Sequence, residues 1–277
     1  MTNQHPADTA AQYLTVLGGN IAFDERGTGP LVLLVPGMGD LRSTYRFLAP
    51  ALAPAGYRVV TTDLRGHGDS DAGFPSYGDL ATASDITALL RHLDAPAVVV
   101  GNSMGAGAAV IAAAEAPELI AGLVLVGPFV REPAAATPLA KLFMRILMTR
   151  PWIAQVWKAY LPKLYAGAKP RDFAQYRDAV AEAMKRPGYA RAFSETTRTN
   201  HERAGESLAA ITTPTLVVMG DKDPDFPDPK AEADWISSAL GGTTVMIEEA
   251  GHYPQSQQPE RTSAAIIDFL GAAEHRG

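Results

Sequence analysis

The 277-residue sequence contains no cysteine. That absence excludes a disulfide framework, a thiolate metal site and a cysteine nucleophile together, so any catalysis must rest on other side chains. Long hydrophobic runs are missing as well: stretches such as residues 119–130 fall well short of the roughly 20 residues a spanning helix needs. The first thirteen residues lack the cationic start and apolar stretch of a secretory signal, carrying His5, Asp8 and several polar residues instead. A cytoplasmic protein without a membrane span is therefore expected. A basic excess is lacking too. Twenty-four Lys+Arg against thirty Asp+Glu give a net charge of -6, which opposes attraction to a polyphosphate backbone, so nucleic acid is not an expected partner.

What is present is the composition of a globular protein, 47% hydrophobic and 19% charged, long enough for one large domain or two modest ones. Charge is unevenly spread. Residues 131–203 hold fourteen Lys+Arg and six Asp+Glu, leaving ten and twenty-four elsewhere, so a segment of +8 sits in a framework of -14. Two compositions in one chain point to an inserted unit. Short apolar runs at 31–35, 57–62, 97–100, 123–126, 215–219 and 244–247 alternate with helical stretches, and their near-continuous hydrophobicity suits parallel strands buried on both faces. Residues 11–17 and 20–26 around Gly18-Gly19 read as an antiparallel hairpin at the sheet edge. The expected class is α/β. Between 126 and 215 the alternation stops, and helical runs at 140–149, 152–160, 171–185 and 190–199 are separated by Pro151, Pro162, Pro170 and Pro187. This stretch holds ten of the twenty-one aromatics and reads as a helical cap.

The strongest chemical signal is Gly101-Asn102-Ser103-Met104-Gly105, placed between the strand AVVV and the small-residue helix GAGAAVIAAAEA. A serine at such a sharp strand-to-helix turn is held in strained backbone and exposed above the sheet, with glycines removing the side chains that would collide. Serine is a weak nucleophile without a base, so a histidine and an acid should follow on later strand ends. Of six histidines, His252 lies after the last strand and before the last helix; His67, in Asp63-Leu64-Arg65-Gly66-His67-Gly68, reads as a structural loop residue, while His5, His92, His201 and His275 lack context. The acid belongs in Gly220-Asp221-Lys222-Asp223-Pro224-Asp225-Phe226-Pro227-Asp228. Asp223 is the first choice and Asp221 the second, the remaining aspartates reading as exposed turn or capping residues, with Glu132 as a rival elsewhere. A calcium loop over Asp221, Asp223, Asp225 and Glu232 is defeated by Phe226, where glycine is required, and by the stiffening Pro224 and Pro227. Oxyanion donors would be the amides of Met104 and of Met38 in the loop Pro36-Gly37-Met38-Gly39-Asp40.

With these motifs placed, and with Asp63-Leu64-Arg65-Gly66-His67-Gly68-Asp69-Ser70 and Gly251-His252-Tyr253-Pro254 added, the chain resembles the α/β-hydrolase fold superfamily, in its capped branch, over nearly its whole length. The resemblance implies a mostly parallel eight-stranded sheet with helices on both faces, a core of residues 1–127 and 211–277, and a cap of 128–210 inserted after the sixth strand. It implies Ser103, Asp223 and His252 as catalytic triad, Met38 and Met104 as oxyanion donors, and no cofactor or metal. Pro36-Gly37 stands where many relatives have His-Gly, and Ser103 stands where haloalkane dehalogenases and epoxide hydrolases have aspartate. The expected reaction is hydrolysis of a small or medium carboxylic ester or lactone through an acyl-enzyme, with Gly37, Phe129, Phe143, Trp152 and Trp157 touching substrate in a monomer or homodimer. The elbow sequence and Leu125-Val126-Gly127-Pro128 are also similar to carbon–carbon bond hydrolases of ring-fission products. A vinylogous diketone is thus the alternative substrate, and a non-catalytic ligand receptor on the same fold the alternative class.

Overall fold

The structure, a computed structural model, describes residues 10–131 and 152–274. Eight strands form one sheet in the order β1-β2-β4-β3-β5-β6-β7-β8. Strands β1 (Gln12–Val16) and β2 (Gly19–Arg26) make the edge hairpin, and β2 pairs antiparallel with β4 (Arg58–Thr62). From β4 onward, β3 (Leu31–Val35), β5 (Ala97–Asn102), β6 (Ile120–Val126), β7 (Thr215–Gly220) and β8 (Thr243–Ile247) run parallel. Each expected strand is found, with ends shifted by no more than a few residues.

Both faces of the sheet are covered, which is why β3 throughout and β5 from Ala97 to Val100 are apolar rather than alternating. Leu31, Leu33, Val35, Ala97 and Val99 pack with helices α2 (Asp79–Leu93), α3 (Met104–Glu115) and α8 (Pro229–Ala239) on one face. Val32, Leu34, Val98 and Val100 pack with α1 (Leu48–Leu52) and α10 (Pro259–Glu274) on the other. Helix α3 is rich in alanine and glycine because it lies so close to the sheet: a Cβ at Gly105 would fall 2.6 Å from the carbonyl of Val35 in β3. Asp94 ends α2 in the left-handed region, φ 52°.

Between β6 and β7 lie α4 (Ile153–Leu164), α5 (Phe173–Ala183), α6 (Tyr189–Thr196) and α7 (Glu202–Ser207), and near the C-terminus the short α9 (Pro254–Gln257) precedes α10. The first three of these form their own apolar cluster around Trp157, Leu161, Tyr165, Tyr176 and Phe193, joined by Tyr253 of the last loop. One expectation needs correction: Pro162 does not separate elements but lies inside α4, which runs on to Leu164. Proline there removes a helix hydrogen bond, a cost of about 3 kcal/mol, and burial of Leu161 and Leu164 offsets it. The expected run at 140–149, Glu132 and Phe143 lie outside the described residues. Among the described residues, no helix is long and apolar enough to cross a membrane.

Candidate active site

Parallel strands end on one edge of the sheet, and that edge is where loops can gather chemistry from distant parts of the chain. Ser103 follows β5 directly and has φ 57°, ψ -123°, a conformation that costs a non-glycine residue about 1–3 kcal/mol. The surrounding glycines explain how the turn is held. A Cβ at Gly101 would lie 2.4 Å from the Gly105 carbonyl, and one at Gly105 would lie 2.5 Å from that of Pro36. Backbone hydrogen bonds fix the turn further: Ser103 N donates to the Val126 carbonyl at 2.9 Å, and the Ser103 carbonyl accepts from Ala106 at 3.0 Å and Phe129 at 3.3 Å. Met104 is the first residue of α3, so its N–H is one that the helix itself leaves unpaired.

The loop after β3 abuts the same serine. A Cβ at Gly37 would come within 2.8 Å of the Ser103 Cβ, so glycine is what permits this approach. Three side chains clamp the loop. Gly39 N–H donates to Nε2 of His67 at 2.9 Å, the Gly39 carbonyl accepts from the Trp157 indole at 2.8 Å, and Tyr176 donates to Asp40. His67 also bonds the Arg65 carbonyl through Nδ1 at 2.9 Å, which fixes the neutral tautomer with Nε2 as acceptor. Burial pushes its pKa down to about 4, so it stays neutral. The structural role expected of His67 is thus found, and Arg65 is anchored in turn by a bidentate pair with Asp85 at 2.7 Å. Asp40 is fully buried, and burial lifts its carboxyl to about 6 against the hydrogen bonds from Tyr176, Thr44 and Leu41 and the charge of Arg46.

On the other side of Ser103, His252 Nδ1 lies 2.8 Å from Asp223 Oδ2, both side chains buried. The pair sits above the end of β6: a Cβ at Gly127 would meet His252 Nδ1 at 3.1 Å and Asp223 Oδ2 at 3.2 Å. Asn102 ties the elbow to this loop, its Nδ2 donating to the Val126 carbonyl at 3.0 Å and the His252 carbonyl at 3.2 Å. Sequence reading took Asn102 only as part of the elbow. Burial disfavours the His252 cation, but the charge and hydrogen bond of Asp223, with Asp225 and Asp40 behind them, outweigh it and hold the imidazole up at about 9.

Asp225 corrects the expectation that the other aspartates are exposed turn or cap residues. Its Oδ2 is 3.6 Å from His252 Nδ1, its backbone N–H donates to Asp223 at 3.1 Å, and Tyr160 donates to it at 3.3 Å. Burial, then the Asp223 charge, raises its carboxyl pKa. The signal that could have found it is the Asp-Pro-Asp spacing, which turns both carboxylates to one side of a stiffened loop. Asp228 caps α8 as expected, Asp221 accepts the Ala250 N–H, and Glu232 pairs with Arg131 away from this loop. Asp223, Asp225 and His252 keep their ligand atoms within 4.8 Å of one another.

The expected substrate contacts are spread out. Gly37 touches Ser103, and the Phe129 ring stands edge-on to His252 with centroids 5.7 Å apart. Trp157 is buried against the loop after β3 and against Phe193, whereas Trp152, 47% exposed, stands at the solvent end of the same helix. What the arrangement offers is a serine hydroxyl at a helix N-terminus and, on the same sheet edge, an imidazole held by a carboxylate, the groups that proton transfer from a nucleophile requires.

Comparison with known proteins agrees with this architecture. The sequence profile of the alpha/beta hydrolase family matches residues 32–265. The dihydrolipoyllysine-residue acetyltransferase component of an acetoin cleaving system from Pseudomonas putida is 30% identical, the alignment covering 96% of this chain and 70% of that one. A thermophilic esterase from Thermogutta terrifontis is 28% identical with a TM-score of 0.79, covering 95% of this chain and 99% of that one. A bromoperoxidase from Bacillus anthracis superposes with a TM-score of 0.82 at 21% identity, over 95% and 100% of the two chains, a likeness of fold.

Proposed function

Since the chain belongs to the alpha/beta hydrolase family, we propose that it is a serine hydrolase that cleaves a small or medium carboxylic ester or lactone. Ser103 attacks the carbonyl, His252 takes its proton and returns it to the leaving oxygen, and water activated by the same imidazole releases the acyl group. Asp223, bonded to Nδ1, holds the tautomer that leaves Nε2 for the serine. The amides of Met104 and Met38 receive the oxyanion, and the helices between β6 and β7 act as a cap that bounds the pocket. The observation that carries the reading is the buried 2.8 Å His252–Asp223 pair on the same sheet edge as a strained serine elbow. Support also comes from the esterase fold-mate at 28% identity.

Fluorophosphonate labelling and p-nitrophenyl butyrate turnover, measured for wild type, Ser103→Ala, His252→Ala and Asp223→Asn, test this. Labelling and turnover should vanish in Ser103→Ala, and the other two variants should lose at least about 1,000-fold in rate. Labelling without ester turnover would move the assignment to a vinylogous diketone or a receptor, and an active Ser103→Ala would overturn the nucleophile.

A further inference from the structure

Helix α4 bonds to Gly39, Asp225 and the backbone of His252, on three loops around the serine. Residues 157, 160 and 164 follow the i, i+3, i+7 spacing that aligns side chains along one stripe of a helix. Trp157 donates its indole N–H to the Gly39 carbonyl at 2.8 Å, in the loop that carries Met38. Tyr160 donates to Asp225 at 3.3 Å. The Leu164 carbonyl accepts the backbone N–H of His252 at 2.8 Å, and a Cβ at Gly251 would fall 2.3 Å from that carbonyl. The Trp157 and Tyr160 rings also pack together, centroids 5.8 Å apart, so the two contacts form one block. Gln155, on the opposite side of the helix, is exposed.

These contacts are more than a cover resting on a site needs. A cap that only bounds substrate would pack apolar groups around a pocket; α4 instead donates or accepts hydrogen bonds to the backbone or carboxylate of the loops after β3, β7 and β8. The β3 loop and the β8 loop come from strands separated in the sheet by β5, β6 and β7, and α4 touches both. Resting on the serine-hydrolase reading above, we propose that α4 is a positioning element of the catalytic apparatus, Trp157 setting the oxyanion loop and Tyr160 the second carboxylate beside His252.

A donor displaced from the oxyanion loses stabilisation in the transition state and leaves ground-state binding unchanged. Trp157→Phe keeps the ring packing on Phe193 and deletes the N–H, so kcat falls about tenfold with KM within about twofold, a fraction of the effect of removing a donor outright. Tyr160→Phe removes one stabilising bond from the Asp225 carboxylate. Asp225 also faces His252, Asp223 and Lys163, and His252 faces Asp223, Asp225 and Asp40. Without that bond the carboxylate is held less firmly beside His252, and the acidic limb of the kcat/KM profile moves down by roughly half a pH unit.

The experiment takes wild type, Trp157→Phe, Tyr160→Phe, the outer-face control Gln155→Ala and Ser103→Ala, and measures kcat, KM and the pH profile on p-nitrophenyl butyrate. Amide hydrogen exchange over residues 36–41 is measured on the same samples. Faster exchange in Trp157→Phe, a kcat loss confined to it, and a shifted limb in Tyr160→Phe bear the proposal out. Unchanged kcat and exchange in folded Trp157→Phe, or a loss expressed only in KM, overturns it while the serine reading stands. Should Trp157→Phe not fold, an unshifted limb in Tyr160→Phe overturns the Tyr160 arm alone. If Ser103→Ala keeps its activity, the serine reading fails, and the exchange of residues 36–41 still decides the α4 contact.

Discussion

On the proposed serine-hydrolase mechanism, replacing Asp225 with asparagine should shift turnover to lower pH. His252 sits at about 9 rather than its ordinary 6.5, because the nearby carboxylates outweigh the cost of burying its cation. At pH 7 only about one molecule in a hundred then has the neutral imidazole a general base requires. Asp225 Oδ2 lies 3.6 Å from Nδ1. At that separation two unit charges attract by about 1 kcal/mol in water and by nearly 5 kcal/mol at an effective dielectric constant near 20. The Asp225 side chain is 18% exposed and partly screened by water, so the lower end of this range applies. One pKa unit corresponds to about 1.4 kcal/mol, so Asp225→Asn should lower the His252 pKa by roughly one unit. Asparagine keeps the acceptor for Tyr160 and the backbone bond to Asp223, so geometry is preserved. The assay is kcat/KM on a neutral chromogenic ester from pH 5.5 to 10. The wild-type limb should rise tenfold per unit toward about 9, and the variant limb should lie about one unit lower. At pH 7 the variant is a few-fold faster, part of the gain being lost to the weaker base. A limb that does not move, or a variant slower at every pH, refutes the argument that Asp225 adds to the field on His252.

Three further outcomes follow from the same geometry. The Asp40 carboxyl is raised from 3.8 to about 6, so the stability linked to its proton is full below 3.8 and lost as pH rises through 6. Asp40→Asn should therefore gain on wild type between pH 4 and pH 8, by up to about 3 kcal/mol in urea unfolding, and an equal difference at both pH values would refute this. Gly105→Ala drives a Cβ to 2.5 Å from the Pro36 carbonyl and should lower both melting temperature and turnover, whereas Gly73→Ala, with nothing within 4 Å, should change neither. His67→Phe leaves the Gly39 N–H without its acceptor, which should reduce stability by about 1–3 kcal/mol and slow kcat, read by denaturation and steady-state kinetics.

The fold was legible because its signals are local. Apolar runs such as Leu31–Val35 fix strands, and the parallel sheet then leaves little freedom in how they pack. The strained Ser103 was equally readable, since the steric exclusion at Gly101 acts against Gly105 and Ala106 a few residues along the chain, although that at Gly105 comes from Pro36 on another strand end. Asp223 could be favoured over Asp221 only by position and stiffness, and it is the fold that sets Asp223 at 2.8 Å from His252 while Asp221 takes the Ala250 amide. Asp225 was missed because an aspartate on a loop reads as solvated until a helix 65 residues away buries it. Pro162 was misread because proline signals a break locally, and only the packing of Leu161 and Leu164 shows that α4 continues.

The sequence alone therefore determined the α/β class, the strand set and the serine at the sharp turn, all consequences of periodicity and short-range sterics. Tertiary structure decided what stands next to what: Trp157 on the Gly39 carbonyl, 118 residues apart, and two carboxylates on one imidazole with its pKa near 9. Those juxtapositions depend on loops carried to one edge of the sheet by separate strands, and on burial, which strengthens each charge by removing the water that would screen it.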